Sequence, residues 1–264
     1  MEWWLGYLAV GLIAGFLAGL LGIGGGALSV PMLVFIFTAQ RLPSEHLLHV
    51  ALGTSMATIV FTSVASMRAH HAHRAVDWHI ARALAPGMLA GSFGAALLAG
   101  LIPTRPLAML FTALVFVVGT QLLFDLKPRH TRELPRAAGL FVAGAVIGGV
   151  SSLAAAGGAF LAIPFLAWCN VPLRRAIGTA SATGLPIALA GTAGYIVQGW
   201  HAPGLPEPSL GYVYLPALGL VAAMSMLAAP FGARLAHRLP VKRLRMVFAL
   251  MFYALALRML TSIW

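Results

Sequence analysis

The chain has 264 residues, of which 60% are hydrophobic and 9% charged, and a formal net charge of +11. With a mean hydropathy of +0.92 and apolar runs of about 20 residues, the spanning length of a helix, recurring throughout, it is no soluble domain. Its runs do not alternate polar and apolar, which excludes an outer-membrane barrel, so the positive charge belongs to loops that set topology and implies a lipid bilayer and no nucleic acid as partner.

The first apolar run, Trp3 to Thr38, is too long for one untilted span at about 1.5 Å per residue. It is broken at Gly22-Ile23-Gly24-Gly25-Gly26-Ala27, which predicts a helical hairpin of Trp3 to Leu21 and Ala27 to Thr38. Apolar segments follow at Glu45 to Met67, Trp78 to Leu101 and Pro106 to Phe124, then a polar link from Asp125 to Pro135. There the pattern restarts. Ala137 to Ala167 is broken at Gly157-Gly158, and Pro172 to Val197, Leu210 to Leu235 and Val241 to Ile263 follow. Pro31 matches Pro164, Ala51-Leu52-Gly53-Thr54-Ser55 matches Ala176-Ile177-Gly178-Thr179-Ala180, and Phe93-Gly94-Ala95 matches Phe231-Gly232-Ala233, all in one order. Internal self-similarity of this kind marks a duplication. The expected fold is all-α and polytopic. It forms one transmembrane domain over 1–264, with repeat one at about 3–124 and repeat two at about 137–263. Each repeat is a broken, re-entrant hairpin plus three transmembrane helices.

The basic residues choose between topologies. If each broken run crosses once, Lys and Arg divide almost evenly. If each enters and returns, one side collects Arg68, Arg74, Arg82, Lys127, Arg129, Arg132, Arg136, Arg174, Arg175, Arg234, Arg238, Lys242, Arg243 and Arg245, which is 14 of the 17, and leaves Arg41, Arg105 and Arg258. The positive-inside rule selects the second arrangement. It puts both termini on the non-cytoplasmic side of an inner membrane and gives the two repeats opposite orientation. Trp3, Trp4, Trp200 and Trp264 then fall at the outer interface, Trp78 and Trp168 at the inner one. The N-terminus, Met1-Glu2-Trp3-Trp4, lacks the basic region of a cleaved signal peptide.

Each break starts a new half-helix, with free N–H groups and the positive end of the dipole, and glycine lets an anion approach the backbone. Two such starts from opposite faces would converge near the midplane as an anion site. The candidate residues are Gly24, Gly25, Gly26 and Ala27 in the first break and Gly157, Gly158 and Ala159 in the second. The hydroxyl runs of the following helices add Thr54, Ser55, Thr179 and Ser181, although such hydroxyls also bond back to their own helix. Gly11, Gly15 and Gly19, like Gly87, Gly91 and Ala95, have the small-xxx-small spacing of close helix packing.

The glycine break ending at Pro31, its copy ending at Pro164, the Gly53-Thr54-Ser55 and Gly178-Thr179-Ala180 helices, and the short basic loop to Val76-Asp77-Trp78 together resemble the TauE/SafE sulfite exporter family over nearly the whole chain. The resemblance implies a two-repeat membrane transporter exporting sulfite or small organosulfonates, a small anionic substrate, by alternating access. It implies no catalysis and no cofactor, and it admits a homodimer.

His49, near the outer end of its helix, is a candidate proton-linked group. His70, His71, His73 and His79 suggest a metal site, but they read as a solvated basic loop with no Cys or carboxylate cluster to complete a shell, so no metal is expected. The six acidic residues lie near loops or ends, leaving no buried carboxylate relay. No nucleotide-binding motif is present. The rival readings are a divalent-cation transporter, an intramembrane enzyme lacking an evident catalytic pair, and a non-transporting partner subunit.

Overall fold

In hydrocarbon every backbone polar group must be paired within the protein, which favours helices, and the computed structural model of the chain is helical through the described parts of its apolar runs. It describes residues 3–21, 26–43, 45–124 and 133–236, with 246, 249–254, 256 and 257 near the C-terminus. The elements are α1 (Trp3–Leu21), α2 (Gly26–Ala39), α3 (Leu47–Ala72), α4 (Trp78–Leu101), α5 (Thr104–Phe124), α6 (Ala137–Leu153), α7 (Ala159–Trp168), α8 (Leu173–Gly199), a small antiparallel hairpin of β1 (Ser209–Leu210) and β2 (Val213–Tyr214), and α9 (Leu215–Ala236). Of these, α3, α4, α5, α8 and α9 are long and apolar enough to cross a bilayer. The protein is an all-α polytopic membrane protein.

Local chemistry sets the helix ends. The Asp77 carboxylate caps α4, accepting from the amides of His79 at 3.1 Å and Ile80 at 3.3 Å. Four helices end in one motif, in which a left-handed residue turns the chain and the next amide reaches back five residues. Leu42 donates to Phe37, Ala75 to His70, Ala156 to Ser151 and Val171 to Leu166. The left-handed residues are Arg41, Arg74, Ala155 and Asn170.

Glycines set the helix spacing. A Cβ on Gly15 or Gly19 would collide with the α9 backbone at Ser225 or Ala229. One on Gly87 or Gly91 would do so with α6 at Phe141 or Ala145. These are close approaches that only small residues allow. Helices α3 and α8 are the most enclosed spans. The perimeter is apolar and exposed, as at Val142 (60%), Leu227 (64%) and Phe231 (62%), as a lipid-facing surface requires.

The first hairpin folds back on itself. The Tyr7 hydroxyl near the start of α1 donates to Gln40 just past α2 at 2.8 Å, and the Tyr7 ring meets Phe37 at 6.2 Å. The second hairpin starts on α6, which runs parallel to α4, with Gly144 against Leu84 and Gly148 against Met88. It ends by returning to the same end of the molecule, where Arg174 Nη2 donates to the His73 carbonyl at 3.3 Å. That end gathers Arg68, Arg74, Arg82, Arg136, Arg174 and Arg175. The opposite end gathers Arg41 and Arg105, with the Thr104 hydroxyl donating to the Glu45 carbonyl and His46 against Tyr212.

Candidate functional site

The two breaks meet inside the protein. Gly26 begins α2, and a Cβ there would collide with the carbonyl oxygen of Ala155 and with Ile59. The Gly26 carbonyl accepts from Ser29 Oγ at 3.0 Å and Ser55 Oγ at 3.1 Å, and the two serine oxygens stand 2.5 Å apart. The second break runs from Ala154 to Gly158. Ala155 has φ +42° and Gly158, which starts α7, has φ +76°. Ala154, Ala155 and Ala156 are fully buried. A helix that starts in such a place exposes first-turn amides that have no intrahelical acceptor.

Beside this junction lies a cavity of about 110 Å³. Thr62, Ser63 and Ser66 of α3, Gly157 of the second break and Ser181 of α8 supply its polar lining, and it extends to His70 at the basic end. A second void of about 10 Å³, the size of a single water, shares Thr62 and reaches Gly26, Ser29, Ser55, Thr58 and Ser225. Hydroxyl groups and small residues line both, and among the described residues neither lining includes a carboxylate, Lys or Arg. Most of the larger cavity's wall is apolar, and its Thr62 and Ser181 hydroxyls donate to carbonyls of their own helices; without a carboxylate among the described lining residues it lacks the hard oxygen ligands a divalent cation needs.

The expected site residues divide into groups. Gly26, Ser55, Gly157 and Ser181 line the two spaces. Ala27 and Ala159 are buried at the two helix starts, and Gly158 caps α7. Gly24 and Gly25 lie outside the described residues. Thr54 and Thr179 face loops instead: Thr54 Oγ1 accepts the Tyr214 amide at 3.0 Å and Thr179 Oγ1 accepts the Asp77 amide at 3.0 Å. The glycine before each lets that loop cross closely, since a Cβ on Gly53 would clash with the Tyr212 carbonyl and one on Gly178 with that of Ala75.

His49 is buried, and its Nε2 lies 3.1 Å from both the Ala99 and Ile102 carbonyls at the end of α4. Two acceptors there make Nε2 the protonated nitrogen. Its Nδ1 has no partner, and its ring lies 5.1 Å from that of Tyr212. Burial, with Glu45 adding to it, raises the Tyr212 phenol above its ordinary value, so it stays protonated.

Sequence reasoning picked Ser55 but not Thr58, Thr62 and Ser66, which share its face of α3 at helical spacing, a signal open to it. Ser29 and Ser225 gave no such signal. His70 and His71, read as loop residues, belong to the last turn of α3. The helix continues past Met67 because the left-handed Arg74 closes it instead. His71 Nδ1 accepts from Trp78 Nε1 at 3.1 Å. Gln121, at the end of α5, donates to the Phe160 carbonyl at 3.2 Å, in the first turn of α7. Among the described residues no group of three or more His, Cys, Asp and Glu is placed to hold a metal.

The family model "Sulfite exporter TauE/SafE" matches residues 7–259. The chain belongs to this family. It is 37% identical over 254 residues to a probable membrane transporter protein of Haemophilus influenzae, covering 96% of each chain. It is also 27% identical over 266 residues to one of Methanocaldococcus jannaschii, covering 96% of this chain and 94% of that one. No solved structure matches. Family membership and helices of spanning length make the chain a multi-pass membrane transporter.

Proposed function

We propose that the protein exports small oxyanions, sulfite or organosulfonates, from the cytoplasm by alternating access at a midplane site where the two breaks meet. The observation that carries this reading is the contact of Gly26 with Ala155 beside a cavity whose described lining includes Thr62, Ser63, Ser66 and Ser181 and no Asp, Glu, Lys or Arg. The family's description supports the substrate class.

In this reading the halves are inverted repeats. Several equivalences support it. Thr54 serves the loop before α9 as Thr179 serves the loop before α4. Helix α1 packs parallel on α9 as α6 packs parallel on α4. Pro31 and Pro164 each stand sixth in their half-helices. The basic end is then cytoplasmic and both termini lie outside an inner membrane. The cavity reaching His70 is the cytoplasmic access, and the Tyr7, Phe37 and Tyr214 rings, 5.9 to 6.3 Å apart, close the outer side. With no buried carboxylate relay, the membrane potential drives an anion outward at about 2.3 kcal/mol per charge per 100 mV.

Flux of labelled sulfite in proteoliposomes tests the reading. The wild type carries sulfite or a sulfonate, and Gly26→Leu and Gly158→Leu, which fill the junction, abolish the flux. Equal flux in wild type and variants would remove the site. Divalent-cation flux lost on replacing His70, His71 and His73 would replace the reading.

A further inference from the structure

Hydroxyl groups in the membrane helices of this protein bond back to their own backbone as a rule. Thr58 donates to Thr54, Thr112 to Ala108, Thr120 to Phe116 and Ser181 to Ile177, at 2.7 to 2.9 Å. At the first break Ser29 and Ser55 are satisfied by each other and by the Gly26 carbonyl. Ser151, Ser152 and Thr192 depart from the rule, and the one of them placed against Gly158 is Ser151. It is fully buried in the last turn of α6, and its Oγ has no hydrogen-bond partner. That oxygen lies 3.8 Å from where a Cβ on Gly158 would stand, so it sits against the residue that opens α7. No side chain caps α7, whose 10 residues begin with Ala159 and Phe160, amides without an intrahelical acceptor. Gly157, next in line, borders the cavity.

We propose that Ser151 is a substrate-binding residue: its hydroxyl and the first-turn amides of α7 form the oxyanion-binding half of the site contributed by the second repeat. The assignment rests on the oxyanion reading above. A donor hydroxyl without a protein acceptor, beside free amides at the positive end of a helix, matches an acceptor-rich anion and repels a cation. Ser152, the neighbour of Ser151, points elsewhere, with its Oγ 3.0 Å from where a Cβ on Gly191 would stand.

The test compares wild type, Ser151→Ala, Ser151→Thr and Thr112→Ala in sulfite and sulfonate flux from proteoliposomes, and in thermal stability in detergent with and without the anion. Ser151→Ala raises the half-saturating anion concentration about 3- to 10-fold, the worth of one hydrogen bond, with a maximal rate near that of wild type. It leaves the anion-free melting temperature unchanged or higher, because the hydroxyl it removes has no protein partner, and it loses the stabilisation by anion. Ser151→Thr keeps the wild-type concentration dependence, as does Thr112→Ala, a back-bonded hydroxyl on α5. Wild-type half-saturation in Ser151→Ala, or a lowered anion-free melting temperature with unchanged affinity, would overturn the assignment while leaving the oxyanion reading intact. A wild type that neither carries nor is stabilised by any of these anions would overturn both.

Discussion

Ala155 stands at φ +42°, a left-handed conformation that costs a non-glycine residue about 1 kcal/mol, at the point where the second break touches the first. Ala155→Gly relieves that strain without changing the carbonyl that meets Gly26, so it should raise stability by about 0.5 to 1 kcal/mol, read as a higher melting temperature in detergent. A drop would mean that the methyl packs where this account gives it no role. The paired threonines carry the converse prediction. Removing the Thr54 hydroxyl in Thr54→Val leaves the Tyr214 amide without its acceptor, and Thr179→Val does the same to Asp77. Each should cost about 1 to 3 kcal/mol, the penalty for an unpaired buried group, and Thr→Ser at either site should restore most of it. Losses confined to one of the two positions would break the equivalence between the halves.

The helices were largely legible in sequence because length and hydropathy decide them. The Trp78 to Leu101 segment is α4 to the residue, and the break at Gly157-Gly158 separates α6 from α7. The misreadings have physical causes. The β1–β2 hairpin spans the start of the Leu210 segment, where its two-residue strands are too short to show alternation. The end of α3 was set by a left-handed arginine, which no residue preference announces. The site was legible in part. Glycine breaks marked Gly26 and Gly157, but whether a threonine faces a cavity or a loop depends on which neighbour crosses it, and that is a tertiary fact. Thus Ser55 and Ser181 reach the cavities while Thr54 and Thr179, one or two residues earlier, do not line them. The glycine stripes of α1 and α6 predict that Gly15→Leu or Gly148→Leu separates a helix pair and abolishes folded expression, whereas Gly94→Leu, with open space around its Cβ, leaves expression unchanged. Fluorescence-detected size-exclusion chromatography reads all three.

At the scale of the molecule, the proposed topology predicts sidedness. With Cys169 replaced by alanine, a single cysteine at His73 should be labelled by an impermeant maleimide only from the cytoplasm, and one at His201 only from outside; the reverse pattern would invert the transporter in the membrane. The broader claim is that two half-helix starts, brought together by the Gly26–Ala155 contact, hold one small oxyanion beside Gly157 and Ser181. Selenite, a heavier analogue of sulfite, tests this most directly through the anomalous signal of selenium in crystals of the protein soaked with it. The account predicts a peak at the junction of the two breaks, beside Gly157 and within hydrogen-bond reach of the α7 start and Ser151. A peak confined to the His70–His73 region, with none at the junction of the two breaks, would contradict it.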